Sequence, residues 1–424
     1  MSGNPRAAAV PAALVPGIPE LVARLTALWR EVGEGRPALG RTFTRRERSV
    51  REKALAGFVR ALRDETKRPP LTPEAREACQ TRIFGAFGRL ARQGLDWQDR
   101  QIDVLFGAGF DRAAVEFVRA ARSFDPGVAS ADVFQACRNV WVANGLQKLM
   151  GLPVRLTPSI TAYSLLYPYT DNYLDDPAVD EATKLAFSGR LRSRLEGWET
   201  VPANPREKTI FDLVSMIESE HDRPRRPQVF ESLLAIHQAQ GRSLGLFRSD
   251  GPVSEEDIVA ISLEKGGTSV LADGCLVAGS LAPGEVEFLF GFGGFLQLMD
   301  DLEDVLADRK AGIRTVFSRT AGREPLDAVT DRTLRFGARI LEGLDALGAP
   351  DAEPLRELIR SGLGRGLAAT AGMFGRLYTR SYLRELEAHS PFRFSFMNGQ
   401  RRKLSRCKTA LGKLMESIAF VSGR

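Results

Sequence analysis

Gln297-Leu298-Met299-Asp300-Asp301-Leu302-Glu303-Asp304 sets three aspartates and a glutamine along one side of a helix. The residues before it, Phe288-Leu289-Phe290-Gly291-Phe292-Gly293-Gly294-Phe295-Leu296, are all apolar or glycine. Spacings of three and four place Gln297 beside Asp300 and Asp301, and both of these beside Asp304. Carboxylates at that spacing repel one another, and an apolar helix gains nothing from them unless a cation holds them. The pattern therefore predicts a metal site for a multiply charged anion.

A second acidic group, Asp171-Asn172-Tyr173-Leu174-Asp175-Asp176, lies upstream. Asp171 and Asp175 are four apart and share a face, with Asp176 adjacent. They fall in the last turn of a helix expected over Ser159–Asp176. There the macrodipole disfavours each carboxylate by a few tenths of a kcal/mol, roughly. Oxygen-only ligation with no histidine nearby selects Mg²⁺, or Mn²⁺ in its place, over zinc. Asp171, Asp175, Asp176, Asp300, Asp301 and Asp304 are thus the expected metal ligands. Lys265, Arg309, Lys310 and Arg314 are near enough in sequence to add positive charge for an anion. Four of the six tyrosines, Tyr163, Tyr167, Tyr169 and Tyr173, surround the first cluster. Such rings can wall a hydrocarbon channel and face a carbocation.

Elsewhere apolar residues recur at three and four between Pro/Gly breaks, which predicts helices nearly throughout. The expected helices begin with Ile18–Val32, Arg45–Glu65, Pro73–Gln93 and Trp97–Phe124, then one from Ser130 or Asp132 to about Gly151. Pro168 should kink the Ser159–Asp176 helix or begin a fresh segment. Glu181–Glu196, Glu207–Glu220 and Gln228–Leu246 follow. Ser254 caps an acidic first turn of a helix reaching towards Asp273, and Pro283 opens the helix of the second cluster. Two or three more helices fill Pro325–Ala388.

Hydrophobic content of 43% and charged content of 26% are ordinary for a globular chain. No apolar run reaches the roughly 18 residues of a membrane span. Prolines interrupt residues 1–20, which lack a basic segment followed by an apolar core, so no signal peptide is expected. Cys79, Cys137, Cys275 and Cys407 have no CxxC spacing and read as free thiols in a reducing cytoplasm. The net charge of +6 resides in residues 401–424, where seven basic side chains face Glu416 alone. The remainder is balanced, so nucleic-acid binding is not expected. Leu404, Cys407, Leu411, Leu414 and Ile418 recur there at helical spacing, which predicts a basic amphipathic helix. Either it docks on the body with its basic face in water, or it contacts anionic lipid or a diphosphate.

Taken together, these residues resemble the class I isoprenoid synthases. Gln297 to Asp304 matches the second aspartate motif, Q-x-x-D-D-x-x-D, of the trans-prenyl diphosphate synthases. Gln240, Lys265 and then Asp300 resemble that family's glutamine, diphosphate-binding lysine and second motif in spacing. Lys310-Ala311-Gly312-Ile313-Arg314-Thr315 falls where the family has a basic G-K-x-T-like turn. The first motif departs from the pattern. Pro168-Tyr169 stand where a trans-prenyl synthase has its leading aspartates, and the acidic group reads DxxxDD. Read as DxxxD twice, the two clusters look more like head-to-head squalene and phytoene synthases.

The resemblance implies an all-α isoprenoid-synthase-like bundle. Its core would span 126–400, with an N-terminal helical extension over 1–125 and the basic helix over 401–424. It implies Mg²⁺-dependent ionisation of an allylic prenyl diphosphate followed by prenyl transfer. Asp171, Asp175, Asp300, Asp301 and Lys265 would be catalytic. Lys265, Gln240, Gln297, Arg309, Lys310 and Arg314 would bind the diphosphate. Head-to-head condensation and cyclisation are the alternatives within the class. A non-catalytic protein on the same fold, binding a prenyl lipid or an active partner subunit, is the alternative outside it. A cytoplasmic homodimer with peripheral membrane contact through 401–424 completes the expectation.

Overall fold

The computed structural model describes residues 13–14, 16–33, 35–107, 109–174, 176–246 and 253–419, with side chains to Leu414. Among them the chain is helical and contains no β-strand. The N-terminal helices are α1 (Ile18–Glu31), α2 (Arg45–Lys67) and α3 (Pro73–Gly94). A capping box starts α2, with the Glu47 amide on Thr44 Oγ1 at 3.2 Å and the Thr44 amide on Glu47 Oε2 at 2.7 Å. The helix expected over Trp97–Phe124 is two, α4 (Asp99–Gly107) and α5 (Phe110–Phe124). Gly109, at φ 97°, caps α5 in a left-handed conformation that a continuous helix does not contain.

Next come α6 (Ser130–Leu149), α7 (Pro158–Leu174), α8 (Glu181–Glu196), α9 (Pro205–Glu220) and α10 (Pro227–Ser243), which runs on as a 3₁₀ turn to Leu246. Pro168 lies inside α7 without ending it. The Thr170 hydroxyl donates to the carbonyls of Leu166 and Tyr167 at 2.8 and 3.0 Å, supplying a local donor near the proline. The long pair α11 (Glu255–Ala278) and α12 (Pro283–Glu303) follows, then the short α13 (Val305–Ala311) and α14 (Val316–Thr320). The chain closes with α15 (Asp327–Leu341), α16 (Glu353–Met373), α17 (Arg380–Ala388), α18 (Phe394–Ser405) and α19 (Lys408–Ala419). The basic tail is therefore not one helix from 401, because the chain breaks at Arg406-Cys407.

The chain divides into two compact units. The first comprises Met1–Gly35, Thr157–Ala321 and Arg335–Gly348, and the second Arg36–Leu156, Gly322–Leu334 and Ala349–Arg424. This division and the boundaries expected at 125 and 400 cut the chain differently, since 126–156 belongs to the second unit and 18–33 to the first.

In the first unit α11 is the central helix, packed by α12, α10, α1 and α7. Its Ile258, Val259, Leu263, Leu271 and Cys275 are fully buried, and each large aliphatic among them contributes about 1.5–3 kcal/mol. Ser254 caps it, accepting the Asp257 amide at 3.0 Å, and Gly279 ends it at φ 74°. Pro283 then starts α12, where the Ala282 amide donates to Glu285 Oε2 at 2.8 Å. Helices α7, α8 and α9 are tied by Glu207, which is fully buried. Arg190 grips it with Nε on Oε2 at 2.8 Å and a terminal nitrogen on Oε1 at 2.6 Å. The Tyr173 hydroxyl donates to the same Oε1 at 3.2 Å.

In the second unit α2 and α3 form an antiparallel pair against which α19 packs. Leu414 is buried with Cys79 and Ile83, ringed by Phe58, Leu62 and Phe84. Arg401, Arg402, Lys403, Arg406, Lys408 and Lys413 are exposed. Leu414 thus packs inside its own unit while the described basic side chains of the tail face water, and Ile418 lies outside the described side chains. All four cysteines are free, Cys79 and Cys275 being buried. No helix among the described residues is long and apolar enough to cross a membrane.

Candidate functional site

Glycines place the second aspartate cluster. A Cβ on Gly266 of α11 would fall inside contact distance of the Gly293 carbonyl oxygen, and one on Gly293 inside that of the Gly266 carbonyl oxygen. A Cβ on Gly267 would meet the Phe290 ring at 2.9 Å, and one on Gly294 would meet Leu263 Cδ2 at 2.9 Å. Backbone therefore meets backbone where α11 crosses α12, closer than any side chain permits. One turn beyond the crossing on α12 is Gln297, and one turn further is Asp301.

Asp301 is 5% exposed. Its Oδ1 accepts from Gln297 Nε2 at 2.9 Å and its Oδ2 from Ser262 Oγ, on α11, at 2.9 Å. Burial pushes its pKa up to about 6, with Asp300 adding to the rise while Gln297, Ser262 and Lys265 oppose it. Asp300 and Asp304 are exposed and Lys265 is half-buried.

Asp308 of α13 joins this group. The backbone bonds continue through the end of α12, with the Asp304 amide on the Asp300 carbonyl at 2.9 Å and the Asp308 amide on the Asp304 carbonyl at 2.8 Å. Asp300, Asp304 and Asp308 therefore continue one ladder at intervals of four. Burial, then the charges of Asp301 and Asp304, push Asp308 up to about 7, and Lys265 pulls it down. Its sequence signal, Asp304 plus four, was available, but the expected cluster stopped at the octapeptide. Ser262 had no such signal. Nor did the pair of Arg242 and Glu264, joined through both carboxylate oxygens with Nε on Oε2 at 2.6 Å, which ties α10 to α11 beside Lys265.

The other expected binding residues are spread around this point. Gln240 is half-buried on α10. Arg309 and Lys310 are exposed on α13. The Arg314 guanidinium donates to the carbonyls of Gly245 and Leu246 at 3.0 and 3.4 Å, which fixes the end of the α10 segment.

The first cluster is organised differently. Helix α7 ends at Leu174, so Asp176 lies in the following turn rather than on the helix. One of its oxygens accepts from Arg206 at 2.6 Å and the other from the Ala178 amide at 2.9 Å. These bonds hold its pKa below the usual carboxylate range, the Arg206 bond most. Asp171 is half-buried on α7, and Asp175 is outside the described residues. Helix α7 touches α11 through Tyr163, whose hydroxyl donates to the Ser269 carbonyl at 3.1 Å, one turn along α11 from Lys265.

The donors on α12 and α13 are all carboxylate oxygens, which suit a hard divalent cation in chemistry and charge. Asp301 and Asp308 are pushed up partly by neighbouring carboxylates, a repulsion that such a cation would relieve. As they stand, no three acidic, histidine or cysteine side chains among the described residues are grouped to hold an ion.

That repulsion has a measurable consequence. A carboxyl raised in the folded state holds a proton that the unfolded chain has released, so stability falls as pH rises from about 4 towards 7. Asp308→Asn keeps the shape and removes the charge. At pH 7.5 without divalent cations, the variant should melt above the wild type. The gain is about 1–2 kcal/mol after allowing for solvent screening of a half-buried group, and it should vanish near pH 4. Equal melting at both pH values would show that Asp308 carries no such strain.

No protein-family model matches the chain, and no curated protein sequence matches it.

Proposed function

We propose that the chain is a Mg²⁺-dependent class I isoprenoid synthase that ionises an allylic prenyl diphosphate and transfers the prenyl group. The observation that supports this most is that Asp301 and Asp308, beyond the α11–α12 crossing, are raised by neighbouring carboxylates and lowered by Lys265, so these charges act on one another. Asp300, Asp304 and Asp308 would hold the cation, which when bound supplies positive charge to the departing diphosphate. Lys265 meets the same diphosphate from α11. Asp301, bonded to Gln297 and Ser262, keeps the end of α12 registered against α11. The reacting end of the prenyl chain would leave this polar mouth along α12. There Leu296 and Phe292 continue the face of Asp300 at intervals of four and neither is buried.

One observation favours a second reading. Both oxygens of Asp176 are taken by Arg206 and Ala178. A first cluster so engaged suits a protein that binds a prenyl diphosphate without turning it over.

Linkage tests the binding site that both readings share. Mg²⁺ plus inorganic diphosphate should raise the melting temperature by several degrees, since ligand at a hundredfold excess over Kd stabilises by about 2.7 kcal/mol. The part of this rise that depends on Mg²⁺, measured over diphosphate in chelator, should be lost in Asp300→Ala. A melting temperature that ignores Mg²⁺ and diphosphate together would overturn the assignment.

A further inference from the structure

Leu185, Trp198 and Val201, all within or just after α8, are 76%, 67% and 80% exposed. They are three of the nine large apolar side chains left in water among the described residues, and so close a grouping marks an interaction surface.

Helix α8 has two apolar sides. Phe187, Leu191 and Leu195 are buried at intervals of four, on the side that α9 and α10 cover. The opposite side holds Ala182, Leu185, Ala186 and Gly189, all exposed. A surface helix ordinarily carries polar and charged residues there. On α8 the middle of this face is apolar or glycine, and charge begins only at its ends, with Glu181 and Arg192.

Trp198 extends the same face and is held there. Gly197 ends α8 at φ 95°, its amide on the Arg194 carbonyl at 3.2 Å and the Trp198 amide on the Ser193 carbonyl at 3.0 Å. In a helix end bonded this way, the residue after the glycine lies over the residue whose carbonyl it bonds. That residue, Ser193, continues Leu185 and Gly189 at intervals of four. The Arg223 guanidinium locks the turn by donating to the Leu195 and Arg194 carbonyls at 2.6 and 3.1 Å. Further along, the Ala203 amide donates to Glu207 Oε2 at 2.9 Å. An exposed tryptophan fixed in advance loses little freedom on binding.

Charge decides what covers this face. An anionic membrane selects a basic rim, whereas Glu181, Glu196 and Glu199 are exposed here beside Arg192. The pattern instead complements itself. Two α8 helices set antiparallel about a two-fold axis place Leu185 of each between Ala186 and Gly189 of the other. Glu181 of each is then level with Arg192 of the other. Within one copy Arg192 has only the exposed Glu196, at 2.8 Å, a pair worth little. Trp198, past the end of its helix, comes beside the turn that precedes α8 in the other copy, where Pro177 and Ala178 are exposed. A stable interface needs roughly 800 Å² per partner, and Trp198 adds on the order of 150 Å² to what one helix face offers.

We propose that a second copy of this chain covers α8, in an antiparallel two-fold contact anchored by Leu185 and Trp198 and keyed by Glu181 and Arg192. The contact uses none of the residues assigned to the α12 site.

Sedimentation velocity of the full chain, at concentrations up to about 100 μM, should show a dimer that dissociates in the micromolar range. Leu185→Glu should weaken it at least about tenfold while the circular dichroism stays that of the wild type. Trp198→Ser should weaken it as well, and it serves in place of the first variant should that one fail to fold. Glu181→Arg sets like charges together and should weaken the dimer, and adding Arg192→Glu should restore it. A chain that stays monomeric throughout would overturn the proposal. So would a dimer indifferent to both Leu185→Glu and Trp198→Ser, or a double variant no tighter than Glu181→Arg alone. A monomer that co-sediments with phosphatidylglycerol vesicles, and loses this in Leu185→Glu, would overturn it in favour of a lipid surface.

Discussion

Gly293→Val should leave the first unit unable to fold, with the loss exceeding about 4 kcal/mol. The reason is geometric. Any Cβ at Gly293 meets the Gly266 carbonyl oxygen inside contact distance and the Gly267 Cα at 3.0 Å. Backbone cannot rotate away as a side chain can, so α11 and α12 would have to separate. Separation opens the packing around Leu263, Phe290 and Leu298, all fully buried, and removes the reach of Ser262 to Asp301. Even Gly293→Ala should cost about 2–4 kcal/mol, against the gain of about 0.5–1 kcal/mol that alanine ordinarily brings to a helix interior. Gly189 in α8 is the control, because a Cβ there meets nothing within 4 Å. Gly189→Ala should be neutral or stabilising. Chemical denaturation of the three variants measures the contrast, and a Gly293→Ala variant as stable as wild type would disprove the close crossing.

The second large effect concerns the chemistry of the proposed site. Asp300→Ala should lower Mg²⁺-dependent diphosphate release from allylic prenyl diphosphates by about 10²–10³-fold, the usual result of removing one group that acts on developing charge. Asp300 is exposed and sits past the crossing, so its removal should leave the melting temperature nearly unchanged. Loss of turnover with retained fold separates a ligand from a structural residue. Asp301→Ala should fail differently. Its carboxyl is buried between Gln297 and Ser262, so that variant should lose stability as well as activity. Product formation followed beside a melting curve distinguishes the two, and full activity in Asp300→Ala would remove it from the site.

Much of the helical plan was legible because its determinants are local. Helix α8 occupies Glu181–Glu196 as periodicity predicts, bounded by an Asp180 cap and by Gly197 at φ 95°. Ser254 and Pro283 announced α11 and α12 for the same reason. The misses needed information that neighbouring residues do not carry. Whether Trp97–Phe124 is one helix or two turned on the left-handed Gly109. The basic tail was read by its charge, yet its course depends on Leu414 finding the pocket around Cys79 and Ile83. At the candidate site, spacing made Asp300 and Asp304 neighbours. Burial, which spacing does not encode, is what separates Asp301 from Asp300. The Arg206 partner of Asp176 comes from α9, 30 residues away, and no local rule connects them. The arginines on Asp96 were invisible for the same reason, since Arg41 and Arg51 reach it from 55 and 45 residues away.

The most direct measurement is to incubate the purified chain with allylic prenyl diphosphates of several lengths and Mg²⁺, and to assay released diphosphate and prenyl product by mass. Release that requires both the allylic chain and the metal, and that stops on chelation, is the predicted result. No release from any chain length with either Mg²⁺ or Mn²⁺ would contradict it.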